Sequence, residues 1–198
     1  NRKSGVSSTT RGVFGGGRNS SNDAVNVIDY ITIASTGNAQ DFGDLLTAAY
    51  AITGFSSSIK GFSGGKNGYA NTIEQITFTT TGNATDFGDL TAAKSNSTAA
   101  SNGQASVQNE SFFSPAAMGL FFGGDSPTPA LVASTEHFDG SAWTEVGDLA
   151  EARGMEASAG HSAGSSLAIG GNTSPGRVTS TDEFVSPSVS TPINIGQV

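Results

Sequence analysis

Apolar and polar positions alternate with a period of two along Val27-Ile28-Asp29-Tyr30-Ile31-Thr32-Ile33 and again along Thr72-Ile73-Glu74-Gln75-Ile76-Thr77-Phe78. Both stretches are rich in β-branched residues, which suit a pleated and half-buried surface. Between such stretches lie Gly-rich turn signals. In the first part of the chain this pattern predicts four short strands, roughly Val6–Thr10, Arg11–Gly15, Val25–Ala34 and Asn38–Phe42. No run approaches the ~20 apolar residues that a membrane-spanning helix requires.

The pattern recurs four times. An apolar residue and a glycine pair occur at Phe14-Gly15-Gly16, at Gly64-Gly65 after Phe62, at Phe122-Gly123-Gly124 and at Ile169-Gly170-Gly171. A second marker is Phe42-Gly43-Asp44-Leu45, Phe87-Gly88-Asp89-Leu90, Val146-Gly147-Asp148-Leu149 and a degenerate Ile195-Gly196-Gln197-Val198. Between them, Asp29, Glu74, Glu136 and Asp182 each stand two residues before a large apolar residue. Three markers in one order through four passes identify a tandem array. Its repeats fall at approximately 5–45, 46–90, 91–149 and 150–198. The third is longer, and the surplus is placed in a polar surface insertion near 94–115.

Composition narrows the class. The chain has 198 residues, with 27 Gly, 49 Ser and Thr together, and only 13% charged residues. A helix bundle needs more Leu, Glu and Lys than this. The reading is an all-β domain in which a four-strand unit repeats every 45 to 49 residues, the pattern of a β-propeller. The net charge of −8 argues against nucleic acid and anionic membranes as partners. The absence of Cys removes disulfides, thiolate metal sites and Cys nucleophiles. There is no initiator Met and no signal peptide, as in a mature chain or a fragment.

The third repeat carries Phe122-Gly123-Gly124, Phe138, Trp143 and Gly147-Asp148-Leu149, which resembles the kelch β-propeller repeat. The other repeats lack the Trp, with Ala39 and Ala84 near its place. Arg11–Gly17, Ile28–Ile33 and Thr81–Leu90 resemble kelch-like proteins of tailed phages of cyanobacteria and other marine bacteria. The resemblance implies a kelch-like propeller with Trp143 between blades. The four repeats are expected to close on themselves as four blades, which leaves fewer exposed strand edges, the alternative being an arc of a larger assembly. It further implies a virion protein such as a tail fibre or appendage module.

Candidate chemistry is sparse. His137 and His161 have no sequence neighbours that define a metal or general-base site, and a structural role is expected of both. Asp41, Asp44, Asp86, Asp89 and Asp148 recur without calcium-loop spacing and read as turn caps. Gly12–Gly17 lacks the Lys and the helix of a phosphate loop. No nucleophile elbow is present, and copper-oxidase chemistry of kelch type needs a Cys. Tyr30, Tyr50, Tyr69 and Trp143 are the aromatic candidates for sugar stacking, with Tyr69 the best placed in a loop. Sequons at Asn19, Asn83, Asn96, Asn109 and Asn172 are expected from composition alone.

The expectation is therefore a non-enzymatic phage structural and adhesion protein, located on the virion or otherwise outside the cell. No cofactor, metal or catalytic residue is expected. Its loops would contact host surface glycans or other virion subunits, and the protein is expected to form a homo-oligomer without inserting into membranes. An intracellular kelch interaction module is the first alternative. A carbohydrate-active propeller enzyme is the second.

Overall fold

The computed structural model describes residues 3–101, 119–128, 130–138, 142–155, 157–162, 165–174 and 176–185. Among them the chain is all β, with fifteen strands in four antiparallel sheets and no helix. The first sheet is a meander of β1 (Ser4–Ser7), β2 (Arg11–Gly15), β3 (Val25–Thr32) and β4 (Gln40–Ala49). The second repeats it with β5 (Thr53–Ser56), β6 (Lys60–Gly64), β7 (Ala70–Thr77) and β8 (Thr85–Lys94). The third has β9 (Thr98–Ser101), β10 (Gly119–Phe122), β11 (Ser134–Phe138) and β12 (Trp143–Asp148). The fourth shows β13 (Ala157–Ser162), β14 (Ser165–Asn172) and β15 (Arg177–Val185). The degenerate fourth marker at 195–198 lies outside the described residues.

Short-range chemistry sets the hairpins. The Ser8 hydroxyl accepts the backbone N–H groups of Thr10 and Arg11, at 3.2 and 3.1 Å, in the β1–β2 turn. Ser57 does the same for Ile59 and Lys60 between β5 and β6. These side-chain turns satisfy donors that no ladder reaches. Gly16 follows β2 with φ +69°, and a Cβ there would lie 2.6 Å from the Ala49 carbonyl oxygen. Only glycine fits such a left-handed turn at that approach.

The outer strand departs from the sequence expectation. The Gly-Asp-Leu marker does not end it; Gly43 and Gly88 lie inside β4 and β8. Ile28 pairs with Gly43 and Asp29 with Asp41, which leaves Phe42 as the extra residue of a β-bulge. Phe87 is the extra residue in the second sheet. Asp41 and Asp86 stabilise these bulges by accepting the N–H of Gly43 and Gly88, at 3.1 and 3.0 Å. Beyond the marker the ladder breaks again, between Val27↔Asp44 and Val25↔Ala49. The backbone of Leu46 is thereby released from β3.

A second correction concerns the glycine pairs. The strand registers place Gly16 and Gly17 opposite the same positions as Gly123 and Gly124, one residue later than the pair expected for the first repeat. A slip of one residue changes the face of every side chain on the strand. Val13 accordingly faces the second sheet, whereas Phe121, its apparent counterpart in the sequence, faces back to that same second sheet from the third.

Three hydrophobic clusters lie between successive sheets. The first joins Val13, Ile28, Phe42 and Leu45 to Ile76 and Phe78. The second joins Phe55, Phe62, Ile73 and Leu90 to Phe121, with Phe87 and Trp143 against it. The third joins Leu120, Phe122 and Leu149 to Ala168, with Phe184 packed on it. The first strands of successive sheets adjoin one another, β1 on β5, β5 on β9 and β9 on β13. The polar insertion expected near 94–115 starts later than that: Lys94 ends β8, fully buried, and Thr98–Ser101 forms β9. Residues 102–118 lie outside the described residues.

Candidate functional site

A repeated polar bridge crosses each of the three interfaces. Glu136 on β11 accepts the Thr91 N–H from β8 of the preceding sheet at 2.5 Å, and Lys94 Nζ lies 2.6 Å from its other oxygen. Asp182 on β15 accepts the Ala150 N–H at 2.9 Å, and Arg153 pairs with the same carboxylate at 2.8 Å. Glu74 on β7 accepts the Leu46 N–H at 2.9 Å and pairs with Lys66. In each case the donor N–H follows the leucine of the preceding repeat's marker by one residue, where the outer strand has left its own ladder.

The cations show how the bridge varies. Lys94 and Arg153 stand four residues past Leu90 and Leu149. The same place after Leu45 holds Ala49, and the charge comes instead from Lys66 of the second sheet, which also bonds Thr47 Oγ1 at 3.1 Å. Lys94 is tied to Ser134 Oγ at 3.0 Å, so it meets Glu136 by proximity and charge, without an aligned hydrogen bond to that oxygen. Arg153 also bonds Ser180 Oγ at 2.7 Å. Paired carboxylate and cation satisfy charges that burial would otherwise penalise. The acids were visible in the sequence as a marker. Their charged partners were missed, although Lys94 and Arg153 leave a signal by standing four residues past two of the marker leucines.

An open cleft of about 700 Å³, including its mouth, runs along the first strands of sheets one to three. Ser7, Ser56 and Ser101 repeat along it, with Val6, Phe55 and Ala100 between them and Phe14 at one side. Its described lining carries hydroxyls, apolar side chains that include two phenylalanines, and backbone, and no titratable side chain. Such a surface offers hydrogen bonds and apolar contact, and proton transfer would need a group from elsewhere.

The four aromatic candidates separate. The Arg11 guanidinium lies over the Tyr30 ring at 4.6 Å, and the Tyr30 hydroxyl donates to Gln40 at 2.6 Å. Arg18 covers the Tyr50 ring at 3.7 Å. Trp143 lies among Phe55, Phe121 and Phe138 between sheets two and three. Tyr69 is in the turn between β6 and β7, exposed, with φ +58°. It has no ring contact or hydrogen-bond partner among the described residues.

His137 is on β11, half-buried, and its buried Nε2 has no hydrogen-bond partner among the described residues. His161 lies on β13. No group of three or more metal-ligating side chains occurs among the described residues. No helix among them is long and apolar enough to cross a membrane. No protein-family model matches the chain, and no curated protein matches it.

Proposed function

We propose that the four sheets are the blades of a kelch-like β-propeller and that the chain is a non-enzymatic structural and adhesion module of a phage virion, of the tail-fibre or appendage kind. The observation that carries this reading is the recurrence of one interface. An apolar cluster and an acid that captures the neighbour's backbone N–H, buried in Glu74 and Glu136 and half-buried in Asp182, join each sheet to the next. Such joints make the blades a rigid frame for the turns at their edges, and rigid frames with variable loops suit recognition. The acidic, hydroxyl-rich surface favours weak hydrogen bonding that gains strength from copy number. The partners on this reading are host surface glycans and other virion subunits, and the protein acts outside the cell.

Mass spectrometry of purified particles tests the assignment. Peptides of this chain at stoichiometric level in particles are the expected result. Their absence from particles, with the protein found in host cytosol, overturns it in favour of an intracellular interaction module.

A further inference from the structure

We infer that the exposed face of the first sheet docks the fourth sheet of a second copy of this chain, so that copies join head to tail. The inference rests on the blade reading above and adds what covers the end blade. In sheets two to four, one face is always covered by the sheet before it. The first sheet presents the same positions uncovered. Phe14 is 41% exposed where its register equivalent Phe121 is 0%, and Ile33 is 54% exposed where Phe78 is 2%. Asp29 occupies the place of Glu74, Glu136 and Asp182, yet it has no hydrogen-bond or ion-pair partner among the described residues. Asn38 corresponds to Asn83, whose Oδ1 accepts the Asp44 N–H of the preceding sheet at 3.0 Å. No such donor meets Asn38 among the described residues.

The opposite end is complementary. Ile169 and Val185 are exposed on the fourth sheet, on the face that in sheets one to three packs on the next one. The first strands fit as knob and hole. Val6 of β1 projects at Gly61, where a Cβ would come within 2.7 Å of it, and Phe55 of β5 projects at Gly119. By register Ala159 is the knob of β13, and Gly12 is the matching hole on the first sheet. Among the described residues the packing series runs from β1 to β13, and Phe14 and Ile33 at one end and Ile169 and Val185 at the other are exposed. A surface with complementary ends on the same molecule forms a heterologous contact between copies.

Cysteine cross-linking decides the matter, because the chain has no native Cys. Thr98 Oγ1 and Ser158 Oγ are 2.8 Å apart across the third interface, and the equivalent residues at the open ends are Ala157 and Gly5. Gly5→Cys and Ala157→Cys chains, mixed and oxidised, should give a disulfide-linked heterodimer. Its yield should exceed that of either chain alone by roughly tenfold, since the geometry for a bridge is narrow. A Thr98→Cys/Ser158→Cys chain, expected to close internally, controls for oxidation. Phe14→Asp in the Gly5→Cys chain should abolish the heterodimer while leaving the circular dichroism spectrum unchanged.

An internal disulfide in a monomeric Gly5→Cys/Ala157→Cys chain overturns the inference, because the chain's own fourth sheet would then cover the face. No cross-link between the mixed chains, with the control formed, overturns it as well. Particle mass spectrometry scores the virion reading separately, so either failure can be told from the other.

Discussion

Glu136 and Lys94 belong to different sheets, and both side chains are fully buried where they meet at 2.6 Å. The other Glu136 oxygen holds the Thr91 N–H. Glu136→Gln keeps an acceptor for that N–H but leaves the ammonium of Lys94 without its counter-charge. The expected loss is about 3–5 kcal/mol of unfolding free energy, the usual cost of stranding one partner of a buried pair. Lys94→Met combined with Glu136→Gln should recover most of it. Urea unfolding followed by the fluorescence of Trp143, which sits in the same interface, measures both. Equal losses in the single and the double variant would show that the pair does not hold the interface.

Arg153 makes a stricter demand than Lys94. It reaches Asp182, Ser180 and the Ala168 carbonyl from one planar group. An ammonium cannot span those acceptors in the same fork. Arg153→Lys should therefore destabilise by about 1–3 kcal/mol despite conserving charge, a loss of charge-assisted hydrogen bonds. Thermal unfolding of the two proteins side by side checks this, and an unchanged midpoint would refute it.

Much of this architecture is legible in the residues, and the failures have physical causes. The alternating stretches around Ile28 and Ile73 predict β3 and β7, because half-buried strands leave a period-two trace. The Asp-Phe-Gly triplets instead read as strand ends, since Asp and Gly are turn formers, whereas here they build a bulge within β4 and β8. The bulge needs Gly43 at φ +148°, with the Gly82 carbonyl of the next sheet pressed against it, and that neighbour is not visible locally. The acids at 29, 74, 136 and 182 stand out by spacing, but the bond that Glu74, Glu136 and Asp182 make across the interface is to a backbone N–H, which has no letter of its own. The slip between Gly15-Gly16 and Gly123-Gly124 was hidden by a third glycine at Gly17, which lets two alignments look alike.

Gly119 and Phe55 test the packing between first strands. A Cβ on Gly119 would lie 2.5 Å from the Phe55 ring, well inside contact distance. The ring is held on its other sides by Phe62, Phe121 and Trp143 and has little room to yield. Gly119→Ala should cost about 1–3 kcal/mol through overpacking. Phe55→Leu in the same chain removes the ring and should offset part of that cost, so the two changes combine non-additively. Strict additivity in denaturant unfolding would mean that the ring and the glycine do not meet.

Tyr69 is the prediction on which adhesion turns. Its ring is exposed where those of Tyr30 and Tyr50 are capped by arginines and Trp143 is packed between sheets. Its backbone sits at φ +58°, a region that asparagine occupies more readily than tyrosine. Tyr69→Asn should leave stability unchanged or raise it by a few tenths of a kcal/mol, because it eases the backbone and exposes no core. If sugars stack on this ring, the same substitution weakens binding to host envelope polysaccharide by roughly tenfold, in line with the loss of one stacking contact. Surface plasmon resonance on immobilised envelope polysaccharide, with thermal unfolding alongside, reads the two effects separately. Unaltered binding by a stably folded Tyr69→Asn protein would remove Tyr69 from the contact surface and move the search to the hydroxyl-lined cleft along β1, β5 and β9.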